Sequence, residues 1–496
     1  MESKINRITD ILRRDDGISG AMMYTEQISW ILFLKFLSDL EDSKADEALL
    51  NGQEYTYILD DKFKWSSWAC PKGAKGKLDL INAKSGEDLL EFVNKELFPY
   101  LKGFKSITQD AKSIKYKIGA IFEYLDNRIA NGHTLREVLD IIDAMDFHNQ
   151  ADLFQLSQIY EKLLKDMGSD GGNSGEFYTP RPLIKVIVDV VNPQVGQTIY
   201  DPAVGSCGFL IEAYNHMRYE NIEANKQREL STEQLQFLNE DTFFGNEKTP
   251  LSYVMGVMNM ILHGIESPNI AKTNTLTKDI RGLEEKDRFD CILANPPFGG
   301  KENDSIQQNF PIKSNATELL FLQHMMNYLK LGGKCGVVIP EGVLFQTNKA
   351  FQAVKQELLE RFNVHTILSL PAGIFLPYSG VKTNVIFFDR NGSTSDIFYY
   401  EVNPPYKLTK NKPIQYEHFK EFLDTWEKRA LTKNSWIVHV NDIKDYDISA
   451  KNPNNVEVIE HKSPLELVEN IKAHNKEIDE LMDEIEAVLM GKDIDE

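Results

Sequence analysis

The chain has 496 residues, 42% of them hydrophobic and 26% charged, with a net charge of −20 and a pI near 5.1. That is enough for two or three domains with cores of their own, and its acidity argues against a protein that grips nucleic acid through its own basic surface. Four scattered cysteines exclude a disulfide framework and predict a reducing cytoplasm, the ten histidines form no zinc-like cluster, and no apolar run reaches the roughly 18 residues of a membrane span.

Residues 1–165 read as a helical domain. Thr25 is the expected N-cap of a helix over Ile28–Leu37, which is apolar nearly all round and therefore buried. Two lysine-rich stretches follow. Lys62, Lys64, Lys72, Lys75 and Lys77 are interleaved with Trp65 and Trp68, and Lys102, Lys105, Lys112, Lys115 and Lys117 come later. Both are expected to be solvated surface. The run 168–175, rich in Gly, Ser and Asn, is a flexible joint.

Residues 166–455 read as the next domain, in which strands and helices alternate to about Arg390, the pattern of a doubly wound parallel α/β sheet. The first strand, Thr198-Ile199-Tyr200, runs into Asp201-Pro202-Ala203-Val204-Gly205-Ser206-Cys207-Gly208, and a helical pattern follows. Glycines at such a turn let backbone approach a ligand closely, and Asp201 puts a carboxylate at the strand tip. No G-x-G-x-x-G is present, so a pyrophosphate is not the expected ligand. An acid suits a ligand with ammonium and sulfonium groups, such as S-adenosylmethionine. Phe243–Glu247 reads as a second strand, with Glu247 placed to accept two ribose hydroxyls.

The apolar run Phe289–Ala294 reads as a buried strand that Asn295-Pro296-Pro297-Phe298 must end, because two prolines cannot continue a ladder. An exocyclic base amine is a poor nucleophile, its lone pair being delocalised into the ring. Two acceptors that take its two N–H groups free that lone pair. The Asn295 oxygen and the Pro296 carbonyl are natural acceptors, Pro297 stiffens the loop, and Phe298 can stack on the base. A base inside a duplex must be flipped out to reach such a loop. No Pro-Cys replaces the Pro-Pro, so attack through cytosine C5 is not indicated. Further on, Ile397–Tyr400 reads as one more strand, and 403–455 is less legible.

The last element, 456–496, holds 13 acids against 4 lysines and so carries −9 of the −20. Ser463-Pro464-Leu465-Glu466 is a capping box, and Leu467, Ile471, His474, Ile478, Leu481, Ile485 and Val488 form a heptad seam. The seam suits a partner helix or a surface of its own domain. No phosphate-binding G-x-x-x-x-G-K-[ST] occurs, so ATP-driven work belongs to another chain.

These motifs, with Gly175-Glu176-Phe177-Tyr178-Thr179-Pro180-Arg181 ahead of the Asp201 turn, resemble the ordered motifs of N6-adenine DNA methyltransferases. More narrowly, the chain resembles the modification (M) subunit of type I restriction–modification systems. Leu370-Pro371-Ala372-Gly373-Ile374-Phe375 and Gly380-Val381-Lys382-Thr383-Asn384 fit the same subunit.

The resemblance implies a Rossmann-like S-adenosylmethionine-dependent methyltransferase domain, a helical N-terminal domain and a C-terminal helix. It implies cofactor contacts from Tyr178, Thr179, Pro180, Asp201, Ala203, Gly205, Gly208, Glu247 and Asn274, with no metal. It implies catalysis by Asn295, Pro296, Pro297 and Phe298 on a flipped adenine in double-stranded DNA. The implied partners are a specificity (S) subunit and a restriction (R) subunit. An RNA or protein-glutamine methyltransferase, or a non-catalytic subunit that keeps the fold, could use the same loop.

Overall fold

A computed structural model describes residues 2–73, 78–79, 81–108, 110–145, 147, 160, 162–163, 179–220, 230–265, 268–376, 379–454 and, further on, 472, 474–476, 478–479 and 481–482. The chain divides into Met1–Lys451 and Asn452–Glu496. The joint at 168–175 and most of the heptad seam lie outside the described residues. The described residues from 472 to 482 are helical and exposed, Ile478 and Leu481 among them.

The N-terminal part is helical: α1 (Glu2–Leu12), α2 (Ala21–Leu50), α3 (Trp65–Trp68), α4 (Gly86–Phe92), α5 (Phe98–Ile107), α6 (Ile114–Phe122) and α7 (Gly132–Asp143). α2 begins at Ala21 after Gly20, whose φ of 88° only glycine adopts readily. Thr25 is therefore not a cap. It lies one turn inside the helix and is fully buried, because α2 packs on all sides. Lys35, the cation within the apolar run, is buried and paired with Asp39 four residues on, as a charge in a core must be. Among the described residues no helix is long and apolar enough to cross a membrane.

The lysine-rich stretches are mostly ion-paired surface. Lys62 meets Glu96, Lys72 meets Asp143, Lys102 meets Asp126, Lys105 meets Glu123 and Lys112 meets Asp241. Lys117 is the exception. It is buried, and desolvation pushes its amine down to about 8. Trp65 and Trp68 pack edge to face in the core.

The remainder is one nine-stranded sheet. Its strands are β1 (Ile199–Asp201), β2 (Phe243–Glu247), β3 (Asn269–Lys272), β4 (Phe289–Ala294), β5 (Leu329–Pro340), β6 (Asn363–Ser369), β7 (Thr383–Asp389), β8 (Asp396–Glu401) and β9 (Ser435–His439). They lie in the order 3-2-1-4-5-7-6-8-9. Strands 3-2-1-4-5 are mutually parallel, while β7 runs antiparallel to β5 and β6, and β9 antiparallel to β8. The sheet is thus mixed rather than wholly parallel. Apolar alternation reports burial but not strand direction, so β7 could not be read from its residues.

Helices α8 (Arg181–Val191), α9 (Gly208–Asn215), α10 (Thr232–Glu240), α11 (Pro250–Leu262), α12 (Thr317–Tyr328) and α13 (Lys349–Arg361) accompany the sheet. Separate apolar cores fill its two faces. α11 joins the sheet to the helical part: Met255 receives the hydroxyls of Ser29 in α2 and of Tyr160 at 3.4 and 3.2 Å. Between β3 and β4 there are only two 3-10 turns, so a groove of about 500 Å³ stays open over Tyr200, Phe244 and Phe289.

Candidate active site

The strand order reverses between β1 and β4, which pair in parallel through Ile199–Cys291 and Tyr200–Ile292. The crevice beyond the carboxyl ends of two such strands is where open α/β sheets bind ligands. Asp201 closes β1 and Asn295 follows β4, so the two sequence motifs come together by topology. A narrow cleft is lined by Thr179, Asp201, Ala203, Gly205, Gly208 and Asn295, with Ile184, Val204, Ser206 and Phe209.

Asp201 is 1% exposed, and one oxygen accepts the Ala203 N–H at 2.9 Å. Burial pushes its carboxyl up to about 8, the Ala203 bond works against the rise, and the Glu247 charge adds to it. A buried acid without a cation keeps its proton, and a cationic ligand would restore its charged form.

Glu247, at the tip of β2, braces the turn. One oxygen accepts the Gly205 N–H at 3.0 Å and the other the Thr249 N–H at 2.7 Å. Burial raises its carboxyl too, opposed by those two bonds. Each oxygen keeps lone-pair capacity for a further donor.

The turn is held left-handed at Gly205 (φ 49°) and at Cys207 (φ 61°), which is the N-cap residue of α9. Its glycines serve packing as well as ligand approach. A Cβ on Gly208 would stand 2.6 Å from an Arg181 nitrogen and 2.8 Å from Ile184.

Two supports were not read from the sequence. A Cβ on Gly256 of α11 would lie 2.6 Å from the Gly205 carbonyl, so only glycine lets α11 pass under the turn, and Asn259 on the same helix donates to the Ser206 carbonyl at 2.9 Å. The available signal was a Gly and an Asn three residues apart on one face of an otherwise apolar helix.

The Asn295 amide nitrogen donates to the Thr179 hydroxyl at 3.0 Å, and its buried oxygen has no hydrogen-bond partner among the described residues. One end of the amide is anchored and the other is an unused acceptor. Pro296 is buried, and Phe298 is half-buried with its ring edge-on to Phe375, centroids 6.0 Å apart. Pro180 precedes α8 as its N-cap residue. Tyr178 lies outside the described residues.

Asn274 lies beside Thr275, whose hydroxyl donates to the Pro202 carbonyl in the Asp201 turn. The Asn274 oxygen accepts the Leu276 N–H at 3.1 Å, capping a 3-10 turn, and Asn274 lines the open groove over Tyr200. Among the described residues no cluster of His, Cys, Asp and Glu could hold a metal ion.

Comparison with known proteins gives the family. The N-6 DNA Methylase family matches residues 149–463, and the HsdM N-terminal domain matches residues 1–142. The chain is 33% identical to the Type I restriction enzyme EcoEI methylase subunit of Escherichia coli over 99% of this chain and 97% of that one. It is 30% identical to the EcoKI methylase subunit of Escherichia coli (strain K12), covering 85% of this chain and 74% of that one. A solved modification subunit from Vibrio vulnificus YJ016 superposes with a TM-score of 0.81 at 35% identity, over 93% of this chain and 99% of that one. A chain from a type I R-M system superposes with a TM-score of 0.77 at 41% identity, over 99% and 98%. The chain belongs to the N-6 DNA methylase family, as a modification subunit of the type I restriction–modification kind.

Proposed function

We propose that the chain binds S-adenosylmethionine in the cleft between β1 and β4 and methylates adenine N6 in DNA, as the modification subunit of a multi-subunit complex. One observation carries the reading: the Asn295 amide is anchored through its nitrogen to Thr179, and its buried oxygen, beside the glycine turn, has no partner among the described residues. That is a preorganised acceptor awaiting a donor.

The residues fit the cofactor chemically. Asp201, buried and short of a cation, suits an ammonium. Glu247, already aligned by Gly205 and Thr249, suits ribose hydroxyls. The bound cofactor supplies an electrophilic methyl group. The protein's part is to present the amine to it. Asn295 and the Pro296 carbonyl accept the two amine N–H groups, which leaves the nitrogen lone pair out of the ring. Pro297 keeps the acceptors still, and Phe298, propped by Phe375, stacks on the flipped base. No covalent enzyme intermediate is needed.

The acidity of the chain assigns sequence choice and most phosphate contacts to another protein. A specificity subunit reading the major groove would supply both, and a restriction subunit is a further partner. The test is methylation of random-sequence duplex by the purified chain, with and without the co-expressed specificity subunit, followed by sequencing that detects modified bases. N6-methyladenine at one defined sequence is expected only with the partner. Efficient, site-specific modification by the lone chain would overturn the division of labour, and no N6-methyladenine in either case would overturn the activity.

A further inference from the structure

Three loops leave the sheet at one edge. They are 295–300 after β4, 341–348 after β5, which opens with the one-turn helix Glu341–Phe345, and the segment before β7, whose first residue Thr383 pairs with Pro340, the last of β5. Around the Asn295 loop this edge exposes large apolar side chains: Phe345 is 50% exposed, Leu376 39% and Val381 46%. The loops are tied together, with the Glu341 N–H on the Lys382 carbonyl at 2.9 Å and the two side chains ion-paired at 2.8 Å.

Phe345, the last residue of the short helix Glu341–Phe345, is held by a buried cation. The Lys355 ammonium, fully buried, donates to the carbonyls on either side of it, Leu344 at 2.6 Å and Gln346 at 2.8 Å. The Ile448 N–H also reaches the Leu344 carbonyl at 3.2 Å. A desolvated cation is costly to maintain, and here it fixes backbone whose exposed product is one aromatic ring. On the same edge Lys301 and Lys349 are exposed, and neither is in an ion pair among the described residues.

We propose that Phe345 is an apolar wedge that enters the DNA stack as the target adenine leaves it, with Leu376 and Val381 packing beside it and Lys301 and Lys349 facing phosphates. This rests on the reading of the Asn295 loop as the site of adenine methylation. Flipping costs a few kcal/mol of lost pairing and stacking, and an apolar side chain inserted at the vacated step offsets part of that. The exposed lysines match a polyanion and the exposed apolar groups match base faces, which is the chemistry of a duplex.

The wedge predicts a dependence on base pairing that a structural role would not show. The full chain, with its specificity subunit, is assayed on the duplex that the wild type methylates and on the same duplex with the target adenine opposite an abasic position. Phe345→Ala should lower kcat/KM on the paired duplex by about 10- to 100-fold, the range expected from losing one base–aromatic stack, yet stay within about threefold of wild type on the abasic one. Phe345→Trp should retain most activity on both. Fluorescence of 2-aminopurine at the target position should rise with wild type and not with Phe345→Ala. An equal loss on both duplexes, loss of assembly, or no loss at all overturns the wedge. A wild type that makes no N6-methyladenine on either duplex overturns the catalytic reading instead.

Discussion

Cofactor binding should release a proton from Asp201. Its carboxyl sits at about 8 because it is fully buried with one backbone hydrogen bond and no cation. At pH 7 such a group is about 0.9 protonated, and a bound ammonium that draws it into the charged form expels close to one proton. Titration calorimetry at pH 7 in buffers of different ionisation enthalpy should therefore give apparent heats whose slope is about 0.9 proton released, falling to about 0.1 at pH 9. Asp201→Asn should abolish the slope and weaken binding by about 1.5–3 kcal/mol, as for a lost hydrogen bond to a charged group. The same displacement acts on the ligand-free protein. Between about 3.9 and 8 the folded chain keeps a proton that the unfolded chain has lost, so stability falls as pH rises through that window. The loss is about 1.4 kcal/mol per pH step, and roughly 6 kcal/mol across it as an upper figure. Asp201→Asn should flatten that fall in urea denaturation followed by tryptophan fluorescence. Binding heats that do not depend on the buffer at pH 7 would refute the argument, since Asp201 would then be ionised already or out of reach of the ligand.

Other outcomes follow from the same geometry. Asn295→Ala removes the preorganised acceptor and should lower the single-turnover methylation rate by roughly 10²–10³ with cofactor affinity little changed; near-normal N6-methyladenine formation would sink the mechanism. Glu247→Ala frees the Gly205 and Thr249 N–H groups and should weaken cofactor binding by about 1.5–3 kcal/mol in calorimetry, without any dependence on added metal. Gly256→Ala forces a methyl against the Gly205 carbonyl and should cost about 1–3 kcal/mol of stability, with cofactor affinity falling alongside; an unchanged melting temperature would mean that the turn is looser than it is drawn. A chain ending at Lys462 should fold and bind cofactor but fail to assemble with its specificity subunit; normal assembly on size exclusion would return the heptad seam to its own domain.

The parts of this protein legible in its sequence are those whose cause is local. Two prolines must end β4 after Ala294, and the acid and glycine turn must follow β1, because backbone sterics decide both within a few residues. The uniformly apolar run in α2 announced burial, although the helix began seven residues before Ile28 at Gly20–Ala21, where the signal was a backbone angle rather than a side-chain cap. What only the tertiary structure decided is what those turns touch. Glu247 read as a ribose acid and is also the brace of Gly205. Gly208 read as a ligand glycine and also makes room for Arg181. Asn274 read as part of the cofactor site and also caps the turn at Leu276. The antiparallel direction of β7 and the Thr179–Asn295 bond, across 116 residues, are of the same kind. Partners far apart in sequence leave no periodicity in it. The residue types at a strand end state which chemistry is available, and only packing states which atoms already have partners and which, like the Asn295 oxygen, are left for a ligand.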